Sequence, residues 1–221
     1  MTRRSIAMKI KDEREFNVRL RLPIPANGLG DRLNKRLVNA GDARFRPLVQ
    51  AALLTGCRYG ELTMLRAGDF NSDAGVLTIQ TSKSGKRRTI VFTDEGQDFF
   101  LQATANKTGD QLVFTRDEGA AWGKSHQQKP LTRACKAAKI SPVISFHVLR
   151  HTHGSTLAMK GVPMAVIAAQ LGHAGTRMTE RHYAHLSPDY IADTIRAHFP
   201  NLGIVPKTNV KRLADRQAKT Q

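Results

Sequence analysis

The stretch GVLTIQTSKSGKRRTIVF, residues 75–92, decides the fold. Two β-rich runs, GVLTIQ at 75–80 and RRTIVF at 87–92, flank the polar segment TSKSGK at 81–86. Branched side chains favour pleated backbone, so two such runs joined by a Gly-containing turn predict an antiparallel hairpin. A third strand is expected near Asp69 and Phe70. On either side of this small sheet the apolar residues change to helical spacing. Phe45, Leu48, Val49, Ala52 and Leu53 lie on one face of a helix that Thr55 and Gly56 can end, and a second short helix follows from Tyr59. Further helices are expected over 94–104, 124–138, 147–160, 163–171, 177–186 and 188–198, while LVF at 112–114 is too short to assign. The predicted fold class is mixed α+β, mainly α-helical, with a small antiparallel β-sheet.

Residues 1–28 are basic and run into LPIPANGLG, whose Pro and Gly residues mark an extension or linker. Residues 29–200 are expected to form one folded domain. The tail 201–221 carries five basic residues against one acidic residue and no sustained apolar face, so it is expected to be mobile.

Thirty-five Lys and Arg against eighteen Asp and Glu give 221 residues a formal charge of +17. An excess of this size favours a polyanionic partner, because each neutralised phosphate releases condensed counterions. Nucleic acid is the first partner to consider. Two cysteines, Cys57 and Cys135, are too few for a disulfide framework or a Cys-rich zinc site. No apolar run approaches a membrane span, and MTRRSIAMKIKDEREF lacks the apolar middle of a secretion signal. A cytoplasmic location without membrane attachment is expected.

The segment FHVLRHTHGS, 146–155, places three histidines beside an arginine. His147 and His151 stand one helical turn apart, but no carboxylate or thiol completes a metal set and Arg150 repels a cation, so no metal and no cofactor are expected. WGKS at 122–125 is not a phosphate-binding loop, since the earlier glycine that loop needs falls at Glu118. His147 and Arg150, three residues apart, instead project from one helix face as a donor pair suited to an oxyanion. Arg58 in TGCRYGEL sits just past a buried helix, where it must face solvent, a carboxylate such as Glu61, or an anion. LGHAGTRMTERHYAHL adds His173 and Tyr183.

In this order the motifs resemble those of the tyrosine recombinases, or phage-type integrases, over roughly residues 30–198. TGCRYGEL is similar to the family's first arginine box, which implies that Arg58 is the first catalytic arginine, with Glu61 supporting it. TSKSGKRRT is similar to the hairpin turn carrying the catalytic lysine, which falls on Lys83, with Lys86 as a rival. HVLRHTHGS matches the His-x-x-Arg box and gives His147 and Arg150; LGH gives His173; HYAHL gives the nucleophile, Tyr183. His151 and His153 are expected to support the helix and its neighbours. Tyr183 follows His173 by ten positions, where many members show nine.

The resemblance implies site-specific cleavage and rejoining of DNA strands through a 3′-phosphotyrosyl intermediate, in integration or excision of a phage or other mobile element. Residues 29–200 would be the catalytic domain, and double-stranded attachment-site DNA the partner. The protein would act as a homo-oligomer, a tetramer on DNA, in a bacterial or phage setting. The chemistry fits the residue types: arginines and histidine stabilise charge on nonbridging phosphate oxygens, and a tyrosine ester conserves the bond energy for rejoining. Members of the family place a helical core-binding domain before the catalytic one, and only about thirty residues precede the resemblance here. A catalytic fragment or truncated gene is therefore expected. The alternative reading is a noncatalytic DNA-binding remnant of an integrase.

Overall fold

The computed structural model describes residues 28–80, 87–186 and Pro200. The chain divides into two compact units, Met1–Pro188 and Asp189–Gln221, and apart from Pro200 the described residues all belong to the first. The sequence expectations for residues 1–27, for the turn 81–86, for the helix 188–198 and for the tail fall outside the described residues.

Helix α1, Asp31–Ala40, opens the described chain. The apolar pattern does not single it out, because only Leu33, Leu37, Val38 and the small Ala40 carry its core face within DRLNKRLVNA. Arg46 closes its far end, donating from Nε to the Val38 carbonyl at 3.1 Å and from Nη2 to those of Asn39 and Gly41 at 3.2 and 3.1 Å. The carbonyls at and just past the helix end, negative by the helix dipole, thus gain a cationic donor.

Helix α2, Arg46–Thr55, begins with Pro47 in its first turn, where a missing N–H costs nothing. Leu48, Val49 and Ala52 are fully buried on it and Phe45 is buried at its entry, as the spacing predicts. Gly56 ends it at φ +65°, a left-handed conformation that favours glycine. A Cβ there would also come within 2.6 Å of Leu171 and 2.8 Å of His153. The chain then turns directly into α3, Tyr59–Thr63.

The hairpin is present, with β2, Val76–Ile79, pairing antiparallel with β3, Arg88–Val91, in the register Val76↔Val91 to Ile79↔Arg88. The expected third strand is β1, Phe70–Asn71, on the other side of β2. Leu77, Ile79 and Ile90 face the core. They meet α4, Asp94–Thr104, through a group of rings in which Phe92 stacks on Phe100 at 4.8 Å and Phe70 lies 5.8 Å from Phe100. Phe100, fully buried, contributes roughly 1.5–3 kcal/mol, and the partly buried Phe70 and Phe92 less.

Helix α5 spans Gln128–Ala137, four residues shorter at its start than expected from sequence. The Gly123 amide donates to His126 Nδ1 at 2.8 Å, folding 123–127 into turns, and Pro130 suits the first helical turn but not an interior. Helices α6, His147–Met159, α7, Met164–Leu171, and α8, Thr176–Tyr183, follow, each within a residue of expectation apart from α8's end, where 184–186 form a 3-10 turn. α6 packs on α2, and α7 packs on both α8 and β3. Ala158, Ile167, Leu171 and Tyr183 form a second apolar cluster beside the main core.

Candidate active site

Helix α6 meets two chain reversals at the site, the α2–α3 turn, where Arg150 bonds the Gly56 carbonyl, and the turn after α7, where Leu171 lies against Gly56. Arg58 is the residue just before α3, with extended backbone. Its amide donates to Glu61 Oε2 at 2.8 Å and its Nη1 donates to Glu61 Oε1 at 3.1 Å. Glu61 thereby caps the orphan amide of the short helix and anchors the arginine in one step. Arg88, from β3, completes the carboxylate's partners, with Nη1 on Oε1 at 2.9 Å and Nη2 on Oε2 at 2.7 Å. Burial alone would raise the Glu61 carboxyl, but hydrogen bonds and charge from Arg88, then Arg58, hold it down at about 2.

Arg150 lies on α6 and is only 2% exposed. Its Nη1 donates to the Gly56 carbonyl at 2.8 Å, so the carbonyl that closes α2 positions the second arginine. Burial, then repulsion from Arg58, lowers its guanidinium to about 10, and Glu61, Arg88 and Tyr183 also lie within its electrostatic reach. Arg150 Nη2 and Arg58 Nε are buried and have no hydrogen-bond partner among the described residues. Buried donors are nearly always paired, so two orphaned guanidinium nitrogens mark a place suited to an acceptor-rich anion.

His147 is exposed at the first turn of α6, one turn before Arg150. His173 follows Gly172, the left-handed residue that ends α7, and its Nδ1 shares a hydrogen bond with the buried Thr179 hydroxyl at 2.7 Å. His153 donates from Nδ1 to the Leu53 carbonyl at 2.8 Å, because a carbonyl can only accept. Burial, more than the charge of Arg150, pushes it below its ordinary value. It acts as a strut between α6 and α2, as expected for a supporting histidine.

Tyr183 ends α8 and is 4% exposed. Its ring stacks on His151 at 5.2 Å, and a Cβ added at Gly154 would stand 2.6 Å from Cζ and 2.7 Å from the hydroxyl oxygen. Gly154 therefore leaves the space the ring fills. Burial raises the phenol to about 12, against a smaller opposing pull from Arg150. Arg150 is thus the common neighbour, within electrostatic reach of Arg58, Glu61 and Tyr183, while His147 stands on α6 itself and His173 follows α7. Lys83 and Lys86 lie outside the described residues. Among the described residues no cluster of His, Cys, Asp and Glu could hold a metal.

Sequence reasoning missed Arg88. Its signal was the hairpin register: Arg88 shares a face with the buried Ile90, and a charged residue on the core face of a strand requires a partner.

Comparison with known proteins places this geometry in context. The profile of the phage integrase family matches residues 29–189. Tyrosine recombinase XerA of Saccharolobus solfataricus is 26% identical over 181 residues, 79% of this chain and 59% of that protein. Tyrosine recombinase XerC of Bacillus pumilus is 25% identical over 167 residues, 71% of this chain and 54% of that protein. The chain thus spans little more than half the length of these curated relatives. Among solved structures, the catalytic domain of bacteriophage HP1 integrase superposes with a TM-score of 0.58 at 26% identity, covering 81% of this chain and 98% of that one. The match across residues 29–189, together with this fold, shows that the chain belongs to the phage integrase family, with the architecture of a tyrosine recombinase catalytic domain.

Proposed function

We propose that this protein cleaves and rejoins DNA strands through Tyr183, in integration or excision of a phage or other mobile element. The observation that carries the reading is the pair of buried, orphaned guanidinium nitrogens, Arg58 Nε and Arg150 Nη2, on two arginines that act on each other electrostatically, with Tyr183 in reach of Arg150. A phosphodiester supplies the acceptors they lack, and its negative charge offsets the repulsion between the two arginines.

In this reading the Tyr183 oxygen attacks phosphorus, the P–O5′ bond breaks, and a 3′-phosphotyrosyl ester and a free 5′ hydroxyl result. Arg58, Arg150 and His173 stabilise charge on the nonbridging oxygens. His147 serves as acid or base toward the tyrosine, and Lys83 protonates the departing 5′ oxygen. A 5′ hydroxyl from another strand then attacks the ester, and the tyrosine is released without any external energy source. Because Tyr183 is buried, its ring must leave the slot at Gly154 before attack, and the phenol then loses the burial that raises it. Residues 29–200 constitute the catalytic domain, and the working form is a homo-oligomer, a tetramer on attachment-site DNA.

The sequestered tyrosine also fits the alternative, a remnant that binds DNA without cutting it. One experiment separates them. Incubated in chelator with a random-sequence pool of nicked duplexes, the full chain should yield protein–DNA complexes that survive denaturant. DNA binding without such complexes would favour the remnant, and release of phosphate that appears only in a parallel incubation with divalent ion and no chelator would overturn both.

A further inference from the structure

Arg88 has a side chain only 8% exposed, and it meets two helices and the turn between α2 and α3. Its guanidinium holds both oxygens of Glu61 on α3 at 2.9 and 2.7 Å, and Nη2 also lies 3.8 Å from the Cys57 sulfur. Its Nε donates to the Gln170 carbonyl at 3.3 Å, near the end of α7. Gly172, two residues on, has φ +70°, and a Cβ there would sit 2.7 Å from Arg88 Cδ. The turn that leads to His173 therefore wraps directly over the arginine.

A buried ion pair adds little net stability relative to a well-packed apolar pair, because both charges must be desolvated. Its geometry here has another consequence. Arg88 takes both carboxylate oxygens in the planar fork that a guanidinium forms best. Arg58 is left with one side-chain contact to Glu61, at 3.1 Å, and an uncommitted Nε. Without Arg88, Glu61 would be a buried carboxylate facing a single arginine, and it would draw Arg58 into the bidentate pair.

We infer that Arg88 is a positioning residue that occupies Glu61 and so keeps the Arg58 guanidinium available to the substrate phosphate. The inference rests on the strand-cleavage reading above. Arg88 touches no reacting atom; it acts through Glu61 on Arg58, and its Gln170 contact fixes the approach to His173.

The test uses the full chain and a nicked duplex chosen by covalent capture with the wild-type protein. Arg88→Met should lower the single-turnover cleavage rate about 10²-fold, the scale of losing one preorganised donor, with the DNA dissociation constant within about threefold. Arg88→Lys, which keeps the charge and loses the fork, should fold as wild type and cleave about tenfold more slowly. Adding Glu61→Gln to either variant removes the competitor for Arg58 and should recover at least part of the rate, counted per DNA-binding-competent molecule. Wild-type rates in Arg88→Lys, or double variants no faster than the single ones, would overturn the role of Arg88 and leave the cleavage reading intact. Failure of the wild-type protein to form any covalent complex would remove the cleavage reading itself, and with it the role of Arg88.

Discussion

The Tyr183 hydroxyl rests where Gly154 has no side chain, and the ring stacks on His151. Gly154→Ala should therefore push the ring out, because a helix backbone yields less readily than a terminal side chain. The expected outcome is a stability loss of about 1–3 kcal/mol in denaturant unfolding, with faster covalent trapping of nicked DNA per folded molecule. Unchanged stability and trapping would show that the slot does not hold the tyrosine. Glu61 supplies a second residue-level test. Its folded carboxyl, at about 2, lies below the ordinary value of 4.5, so it stabilises the fold above about pH 4.5 and loses that contribution as pH falls toward 2. Glu61→Gln should flatten the acid limb of the stability profile across that window, and an unaltered limb would deny the carboxylate this role. Arg58, Glu61, Arg150 and Tyr183 stand out as candidates in sequence because each sits in a short motif. Arg88 does not, because its partner Glu61 is 27 residues away and only the folded register brings the two together.

Among the elements, α2 and the hairpin were readable because their apolar residues follow a clean period and their ends carry Gly or polar turn residues. Helix α1 was not, since its stability comes from Leu37 packing and from Arg46 beyond its end rather than from its own pattern. The start of α5 lies later than its sequence pattern suggests because the Gly123 amide bonds His126 and the segment before Gln128 folds into turns. The hairpin carries the prediction that belongs to this scale. The segment between its two strands, 81–86, contains Lys83, proposed to protonate the leaving 5′ oxygen. Lys83→Ala should slow cleavage by about 10²- to 10⁴-fold on ordinary DNA. Replacing the bridging 5′ oxygen with sulfur should restore most of that rate, because a thiolate departs without a proton. Arg150→Ala should gain no such rescue, since charge on the nonbridging oxygens still needs its guanidinium. If Lys86→Ala is the variant rescued, the proton donor lies three residues later than proposed.

Across the whole molecule, 35 basic residues against 18 acidic ones make phosphate contact the dominant source of the proposed DNA affinity. Log affinity should fall with log salt by about 0.9 for each phosphate neutralised, and a flat dependence would contradict a charge-driven interface. The fold class was legible at this scale because one hairpin among helical periods admits few layered arrangements. The burial of Tyr183 was not legible, since it depends on α6 and α8 meeting at a glycine that the sequence alone marks only as one more helical residue. The central claim is that Tyr183 is the nucleophile, and the most direct measurement is the site of covalent attachment. Nicked duplex trapped on the full chain, digested with protease and mapped by mass spectrometry, should carry its 3′ phosphate on the peptide containing Tyr183, and Tyr183→Phe should bind the same DNA yet yield no adduct. An adduct on any other residue, or one that persists in Tyr183→Phe, would contradict the account.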